Sequence, residues 1–511
     1  MNIQFGLETE YGISREGGGV VDVVAESIAL VRSAPAAGVR LRWDYSCENP
    51  HRDARGFTVL ELRQDTDEAG YESLDEARPL SFREIKSDFA LLNGARFYND
   101  HAHPEYCTPE CSTLLELLQQ DCAGDQLLMA CAGKLSGESG NHSLLYKNNT
   151  DFQGHSYGCH ENYLLSRELP WQELSRGILA FLVTRQIFAG AGKYGWEDED
   201  RFLKPGFQIS QRSDFFSVLQ SVDTMQRRPL INTRDEPHAD AKKYRRLHVI
   251  LGDANLSPFA TYLKVGTTAL VLNALLQGAP SQELPWVSEP VQTLKDISRD
   301  PSFTWELREE GGRRTNAIEV QRRYFEIARK YCPQPPGEWE DLLHAWAEVL
   351  DDLGKDPLRA ADRLDWVAKY RLIENFREVE KVSPDDPWLR SLDLAYHRMD
   401  RDEGLFWGLA GDGGLRTPFP VESIKGFGLR PPCSTRAAIR GFCIEKFGKF
   451  VEETQWEHLI LRDGEERIHL DLGDLFDAAE VARSLEVVKA AENIGDLMAL
   501  PFAMKKNICT V

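Results

Sequence analysis

The strand-like runs of this chain do not alternate regularly with helices. Segments with alternating or β-rich apolar character fall at residues 2–11, 95–100, 143–148, 156–164, 207–210 and 246–252. There, every second side chain shares a face. Stretches with helical apolar spacing lie at 112–134, 170–189, 257–276, 316–331, 338–353 and 362–379. Excursions so long and so irregular do not build the repeated crossovers of a doubly wound parallel sheet. They predict an α+β fold, an antiparallel sheet packed with helices. No GxGxxG or GxxxxGK[ST] stands where a strand meets a helix, so neither a Rossmann site nor a P-loop is indicated.

A chain of 511 residues has room for more than one domain. Composition turns to glycine and proline in GFGLRPPCS, which predicts a boundary near residue 430. The domains are then 1–430, catalytic, and 431–511, a small α+β module. Between 57 and 90 runs a polar, acidic stretch containing DTDEAGYESLDEARP. It is too long and too charged for an ordinary connection, so it is either disordered or a functional lid.

The function classes narrow quickly. A formal charge of −21 opposes a general nucleic-acid binder, which needs a basic surface. No window approaches the roughly 18 uninterrupted apolar residues of a membrane span. The start of the chain lacks a basic region and an apolar stretch, so a cytoplasmic protein is expected. The ten cysteines are scattered with no CxxC pair, which predicts reduced, mostly buried thiols.

Four clusters carry chemistry. In FGLETEYG, Glu8 and Glu10 share a strand face, a pairing that suits a divalent cation with oxygen ligands. A solvated strand face gives the same pattern. In NDHAHPEY, which ends a strand, Asp100 is a candidate general base or nucleophile and Glu105 a candidate metal ligand, the bland alternative being a polar turn stopped by Pro104. The segments 146–151 and 157–163 predict a hairpin, with His160 and Asn162 on one face and Glu161 on the other. Cys159 beside His160 is no thiol-protease pair, because neighbouring strand residues face opposite ways. Finally, Arg212 and Arg234 are candidate phosphate forks, and His248 would reach a metal or phosphate from its strand. Together they point to phosphate chemistry on a sheet.

The motifs GLETEYG, DARGF, NGARFYNDHAHPEY, YKNNTD, YGCHENYL, QISQR, NTRDEPHAD, RLHVILGDANL and TYLKVGTTALV occur in that order. Together they resemble the family of Pup deamidase/depupylases and Pup ligases, in the glutamine-synthetase-like carboxylate–amine ligase superfamily. The resemblance runs to about Lys264 and continues more weakly through LDWVAKYRLIE and STRAAIRGFCIEKF. NDHAHPEY, GDANL and the acidic stretch after DARGF resemble the hydrolase branch. YGCHENY, with Cys159, is closer to the ligase branch.

The resemblance implies a glutamine-synthetase-like domain whose curved antiparallel sheet cradles ATP and Mg²⁺. By motif position Glu8, Glu10, Glu105, His160 and His248 would hold the metal or the nucleotide phosphates, with Asn148 beside the nucleotide. Arg212 and Arg234 would meet phosphates and developing negative charge. Asp100 would be the catalytic carboxylate, attacking the carbonyl itself or assisting a bound phosphate. The implied activity deamidates the C-terminal glutamine of Pup or a Pup-like tag and cleaves the tag–lysine isopeptide bond, in a monomer. Rivals are a Pup ligase working through a γ-glutamyl phosphate, a small-molecule carboxylate–amine ligase, and a catalytically silent ATP-binding adaptor. An acidic tag would need a local basic rim, for which residues 242–246, Arg436 and Arg440 are candidates. The 57–90 stretch would gate the site.

Overall fold

In the computed structural model the run FGLETE forms β1, Phe5–Glu10, and alternates strictly between buried and half-buried residues. The structure describes residues 3–505 except 18–21, 35–37, 41–42, 63–77, 141, 198–202, 225–227, 333–336, 412 and 426–427. Phe5, Leu7 and Thr9 turn into the core, while Gly6, Glu8 and Glu10 turn to the opposite face. Six further strands complete the sheet. They are β2 (Gly38–Arg40), β3 (Phe89–Leu91), β4 (Arg96–Asp100), β5 (His103–Cys107), β6 (Cys159–Ser166) and β7 (Tyr244–Val249). Their order is β7-β6-β1-β5-β4-β3-β2, antiparallel throughout. The expected α+β class with an antiparallel sheet is what the chain adopts.

The long helices pack on the face of Phe5 and Leu7, while the helix Ala437–Phe447 meets the edge strands β2 and β3. Leu114–Ser139 starts with a capping box, Thr113 and Glu116 satisfying each other's backbone N–H, and ends at Gly140 in the left-handed region. Pro258–Leu276 starts from the Ser257 cap with proline in its first turn. By length and composition it is apolar enough to cross a membrane, although Lys264, Thr267, Thr268 and Asn273 interrupt its apolar run. Yet 94% of its window is buried in protein, which makes it a core helix. Trp171–Thr184 is buried nearly all round instead of along one stripe. The expected single helix over 170–189 breaks at Arg185, whose guanidinium turns inward to Glu161 at 2.8 Å.

Two local expectations fail for identifiable reasons. Residues 103–107 are a strand, not a polar turn: Asp100 faces His103 and Asn99 faces Pro104 across a two-residue connection. His101 takes the positive φ, 51°, that so tight a connection demands. Pro104 is tolerated because its carbonyl, rather than an N–H, bonds onward to Tyr11 N. The hairpin expected from 146–151 and 157–163 is not made either. Ser143–Tyr146 pairs with Gly12–Arg15, while β6 pairs with β1 and β7. The two segments touch through Tyr157, whose N–H donates to Asn149 O and whose hydroxyl reaches Asn148, and through the isolated bridge Thr150↔Ser156 beside them, not through a strand ladder.

The C-terminal part has a core of its own. The helix Ala437–Phe447, the helix Ala478–Ala490 and a four-stranded antiparallel sheet enclose Ile439, Leu459, Leu461, Ile468 and Val481. This module is clamped to the main sheet by Glu110, which Arg436 reaches at 2.7 Å and Arg440 at 2.5 Å. Arg440 also donates to Gly94 O at 2.8 Å. Arg436 and Arg440 are therefore buried braces, not members of a basic rim. Most of the acidic centre of the 57–90 stretch lies outside the described residues. Its described end forms the short helix Phe82–Lys86.

Candidate active site

The face of the sheet turned away from the helices Leu114–Ser139 and Pro258–Leu276 gathers the polar residues. Register decides which of them meet. Across β1, Glu8 faces His160 on β6 and Cys107 on β5, Glu10 faces Glu105, and Asn162 lies between Gly6 and His248. The side-chain period of a strand then aims Glu8, Glu10, Glu105, His160, Asn162, Arg246 and His248 to one side. Glu161 points the other way, as its parity in the sequence predicts, and pairs with Arg185 in the core.

Two groups of ligand-type atoms result. In the first, Glu8, His160 and His248 bring donor atoms within 4.8 Å of one another. Glu8 Oε2 is 3.2 Å from His160 Nδ1 and 3.4 Å from His248 Nε2, and Glu8 Oε1 accepts from Asn162 Nδ2 at 2.9 Å. Burial works against the Glu8 anion, but His248, His160 and Arg246 outweigh it and hold the carboxyl well below its ordinary range. Burial and Arg246 push His248 down to about 3. A metal ion here would take Glu8 as the anion and His248 as the neutral imidazole, the forms that ligate.

The second group is Glu10, Asp100 and Glu105, also within 4.8 Å. Burial and the neighbouring Asp100, Glu10 and Glu8 push Glu105 well above the usual carboxylate range. Its Oε2 accepts from Tyr98 OH at 2.8 Å. Asp100 goes the other way: burial is overcome by Lys86 and His101, and Lys86 Nζ donates to Oδ1 at 2.5 Å. Three crowded acids are an oxygen donor set whose mutual repulsion a divalent cation would relieve. The residues present thus fit Mg²⁺, with the oxygen-only triad the more suited to it and the imidazole-bearing triad suited to a metal or a phosphate.

The arginines fit anions. Arg212 is buried, with Nε donating to Ser156 Oγ at 3.1 Å and Nη1 to Ile250 O. Arg234 donates to Val222 O and Thr224 Oγ1. Among the described residues neither pairs with a carboxylate. Burial and Arg228 push Arg212 down to about 10. An inward-facing guanidinium held only by neutral groups is a ready partner for phosphate oxygens. The turn at DARGF props Arg234: Asp53 bridges to it through the backbone and accepts from Thr233 Oγ1 at 2.6 Å.

Asn148 does not join this face. Its amide donates to Thr150 O at 2.9 Å and its oxygen accepts from Tyr157 OH, so both ends are occupied within the protein. Motif reading passed over His103 and the far wall of the cavity, and it placed Arg246 on a basic rim, not at the site. Arg246 Nη1 donates to Asn162 Oδ1 at 2.6 Å and lies 3.4 Å from Glu8, although in KKYRR it reads as one of a solvated run. Its i, i+2 relation to His248 was the available signal. His103 stacks on Tyr157 at 4.3 Å, with Nδ1 3.9 Å from Glu10.

Beside Glu8 opens a cavity of about 80 Å³ between the sheet and the C-terminal module. Phe5, Leu164, Pro237, Trp456 and Phe476 supply apolar walls, and His238, Arg246 and Arg436 supply polar edges. An apolar slot that ends in metal ligands and arginine has the build of a nucleotide site.

The profile of the family described as "Pup-ligase protein" matches residues 4–460. A depupylase of Acidothermus cellulolyticus is 40% identical over 95% of this chain and 98% of its own. A Pup–protein ligase of Gordonia bronchialis is 38% identical over 77% of this chain and 90% of its own. Two solved structures share the fold. A Pup ligase in complex with Pup has a TM-score of 0.75 at 30% identity, covering 97% of this chain and 94% of that one. A Pup ligase in complex with ADP has 0.70 at 33% identity, covering 86% and 96%. The glutamine-synthetase-like reading of the sheet and the order of the motifs have one explanation in these matches: the chain belongs to the Pup-ligase family.

Proposed function

We propose that this protein is an ATP- and Mg²⁺-dependent amidohydrolase that deamidates the C-terminal glutamine of Pup and cleaves the isopeptide bond between Pup and a lysine. The observation that carries this reading is the anionic Asp100 set among Glu10 and Glu105 on the polar sheet face. Similarity to a depupylase extends along 95% of the chain, against 77% for a ligase, which supports the hydrolytic branch. Cys159, the one ligase-like mark in the sequence, faces the helices beside Lys264 at 3.6 Å and does not enter the site.

A bound divalent ion would supply Lewis-acid charge at the carbonyl or phosphoryl oxygen. Glu10, Glu105, Glu8, His160 and His248 would hold it. The apolar cavity would take the purine of the nucleotide, in keeping with the ADP-bound ligase relative. Arg212 and Arg234 would face the phosphates and the oxyanion of the tetrahedral intermediate. Asp100 acts at the carbonyl, either as nucleophile or by taking the proton of the attacking oxygen. We place the reaction in the cytoplasm, in a monomer, with Pup and pupylated proteins as partners.

The test is to incubate the protein with ATP, Mg²⁺ and Pup ending in glutamine, and to follow the mass of the tag. A gain of about one dalton, from replacing an amide by an acid, is expected for the wild type and lost in Asp100→Asn, roughly a 10²-fold or greater drop in rate. Formation of a tag–lysine adduct with ADP release would reverse the reading to ligase. A tag left unchanged in both assays would leave the silent adaptor.

A further inference from the structure

Lys86 has no place in the scheme above, yet its ammonium is the group bonded to Asp100. It ends the helix Phe82–Lys86, whose mount is built rather than loose. Ser81 and Glu84 form a capping box at one end, and Ser87, with φ 51°, closes the other in the left-handed region. Arg32 donates to Glu84 O at 2.8 Å and to Ser87 Oγ at 3.1 Å, and Phe82 packs edge-on against Tyr45 at 5.2 Å. From this support Lys86 Nζ reaches Asp100 Oδ1 at 2.5 Å and lies 5.4 Å from the centroid of Tyr98. Tyr98 OH in turn donates to Glu105. The side chains of Lys86 and Asp100 are only 15% and 25% exposed, so water screens the pair weakly.

Three carboxylates within 4.8 Å repel one another, and something must decide which keeps its charge and where its oxygens point. Arg96 and His101 add positive potential around Asp100, but Lys86 alone among the described residues holds one of its oxygens in an ion pair. We infer that Lys86 is a positioning residue for the hydrolysis, clamping Oδ1 of Asp100 so that Oδ2 is turned to the reacting carbonyl. This rests on the reading of Asp100 as the catalytic carboxylate. The pair also has a consequence independent of turnover: an ammonium on Asp100 opposes a divalent cation at the Glu10, Asp100 and Glu105 oxygens, so its removal strengthens cation binding.

The experiment compares the full-length wild type, Lys86→Met and Lys86→Arg. Deamidation of a glutamine-terminated tag gives kcat and KM, calorimetric titration with Mn²⁺ gives cation affinity, and melting temperature reports folding. Lys86→Met is expected to lose about 10- to 100-fold in kcat with KM little changed, the range seen when the partner that orients a site residue is removed. It is also expected to bind Mn²⁺ more tightly, while Lys86→Arg restores most of kcat. An unchanged kcat in Lys86→Met, or weaker Mn²⁺ binding that follows the loss of kcat, would overturn the inference. A wild type that leaves the tag untouched would sink the hydrolase reading instead, and the Mn²⁺ titrations would still decide whether Lys86 opposes a cation at Asp100.

Discussion

At Gly158 the site depends on a missing methyl group. A Cβ there would stand 2.4 Å from His160 Nε2 and 2.7 Å from Glu10 Oε1, one contact in each ligand group. The backbone at this position needs no positive φ, so alanine would not strain it. It would push aside the two side chains that join the groups. Gly158→Ala is therefore expected to fold with a melting temperature near that of the wild type and to bind Mn²⁺ about 10- to 100-fold more weakly. Calorimetric titration checks this, and an unaltered affinity would mean that His160 and Glu10 are not ligands. Glycine has here the role of an empty space between ligands, which no spacing rule in the sequence would have exposed.

At the scale of elements, β6 carries opposite chemistry on its two faces. His160 and Asn162 serve the site, while Glu161 is buried with Arg185, which also donates to Thr268 Oγ1 and Lys264 O. Removing one member of such a pair leaves an uncompensated charge. Glu161→Ala should destabilise the protein by about 3–5 kcal/mol, whereas the double change Glu161→Leu with Arg185→Met should recover most of it. Denaturant midpoints of the wild type and the two variants measure this, and equal midpoints for single and double changes would contradict it. The same strand shows what the sequence discloses and what it withholds. Parity along β1 and β6 was readable, because a period of two is local, and it put Glu8 with Glu10 and His160 with Asn162. Pairing was not readable. Residues 146–151 looked like the partner of 157–163 because they are close in sequence, but the true partners of β6 lie about 150 residues before it and 80 after it. β5 was missed because Pro104 and two histidines imitate a turn. Lys86 was missed because it lies at the end of a charged stretch, and Arg246 was read as rim because KKYRR looks like solvated surface. The register of β7 against β6 turns Arg246 inward, and the short helix Phe82–Lys86 carries Lys86 to Asp100.

At the scale of the molecule, the cavity beside Glu8 is shared between the sheet and the C-terminal module, and the Glu110 clamp holds its two sides together. Thr108, Pro109 and Glu110 line it from one side, Arg436, Trp456 and Phe476 from the other. Burial raises the Glu110 carboxyl, but Arg440 and Arg436 overcome it and bring it from 4.5 down to about 2. A folded-state value below the unfolded one means that the clamp stabilises fully above about pH 5 and fades as the pH falls from about 4.5 toward 2. The difference, at about 1.4 kcal/mol per pH unit, is on the order of 3 kcal/mol at neutral pH. Glu110→Gln should then raise hydrogen exchange across residues 437–505 at pH 7 and weaken nucleotide binding, because the cavity loses its brace. As the solution is acidified the wild type should converge on the variant, reaching it near pH 2. A variant whose exchange matches the wild type at neutral pH would show that apolar packing between Trp43 and Trp456, at 5.3 Å, is enough to keep the module in place.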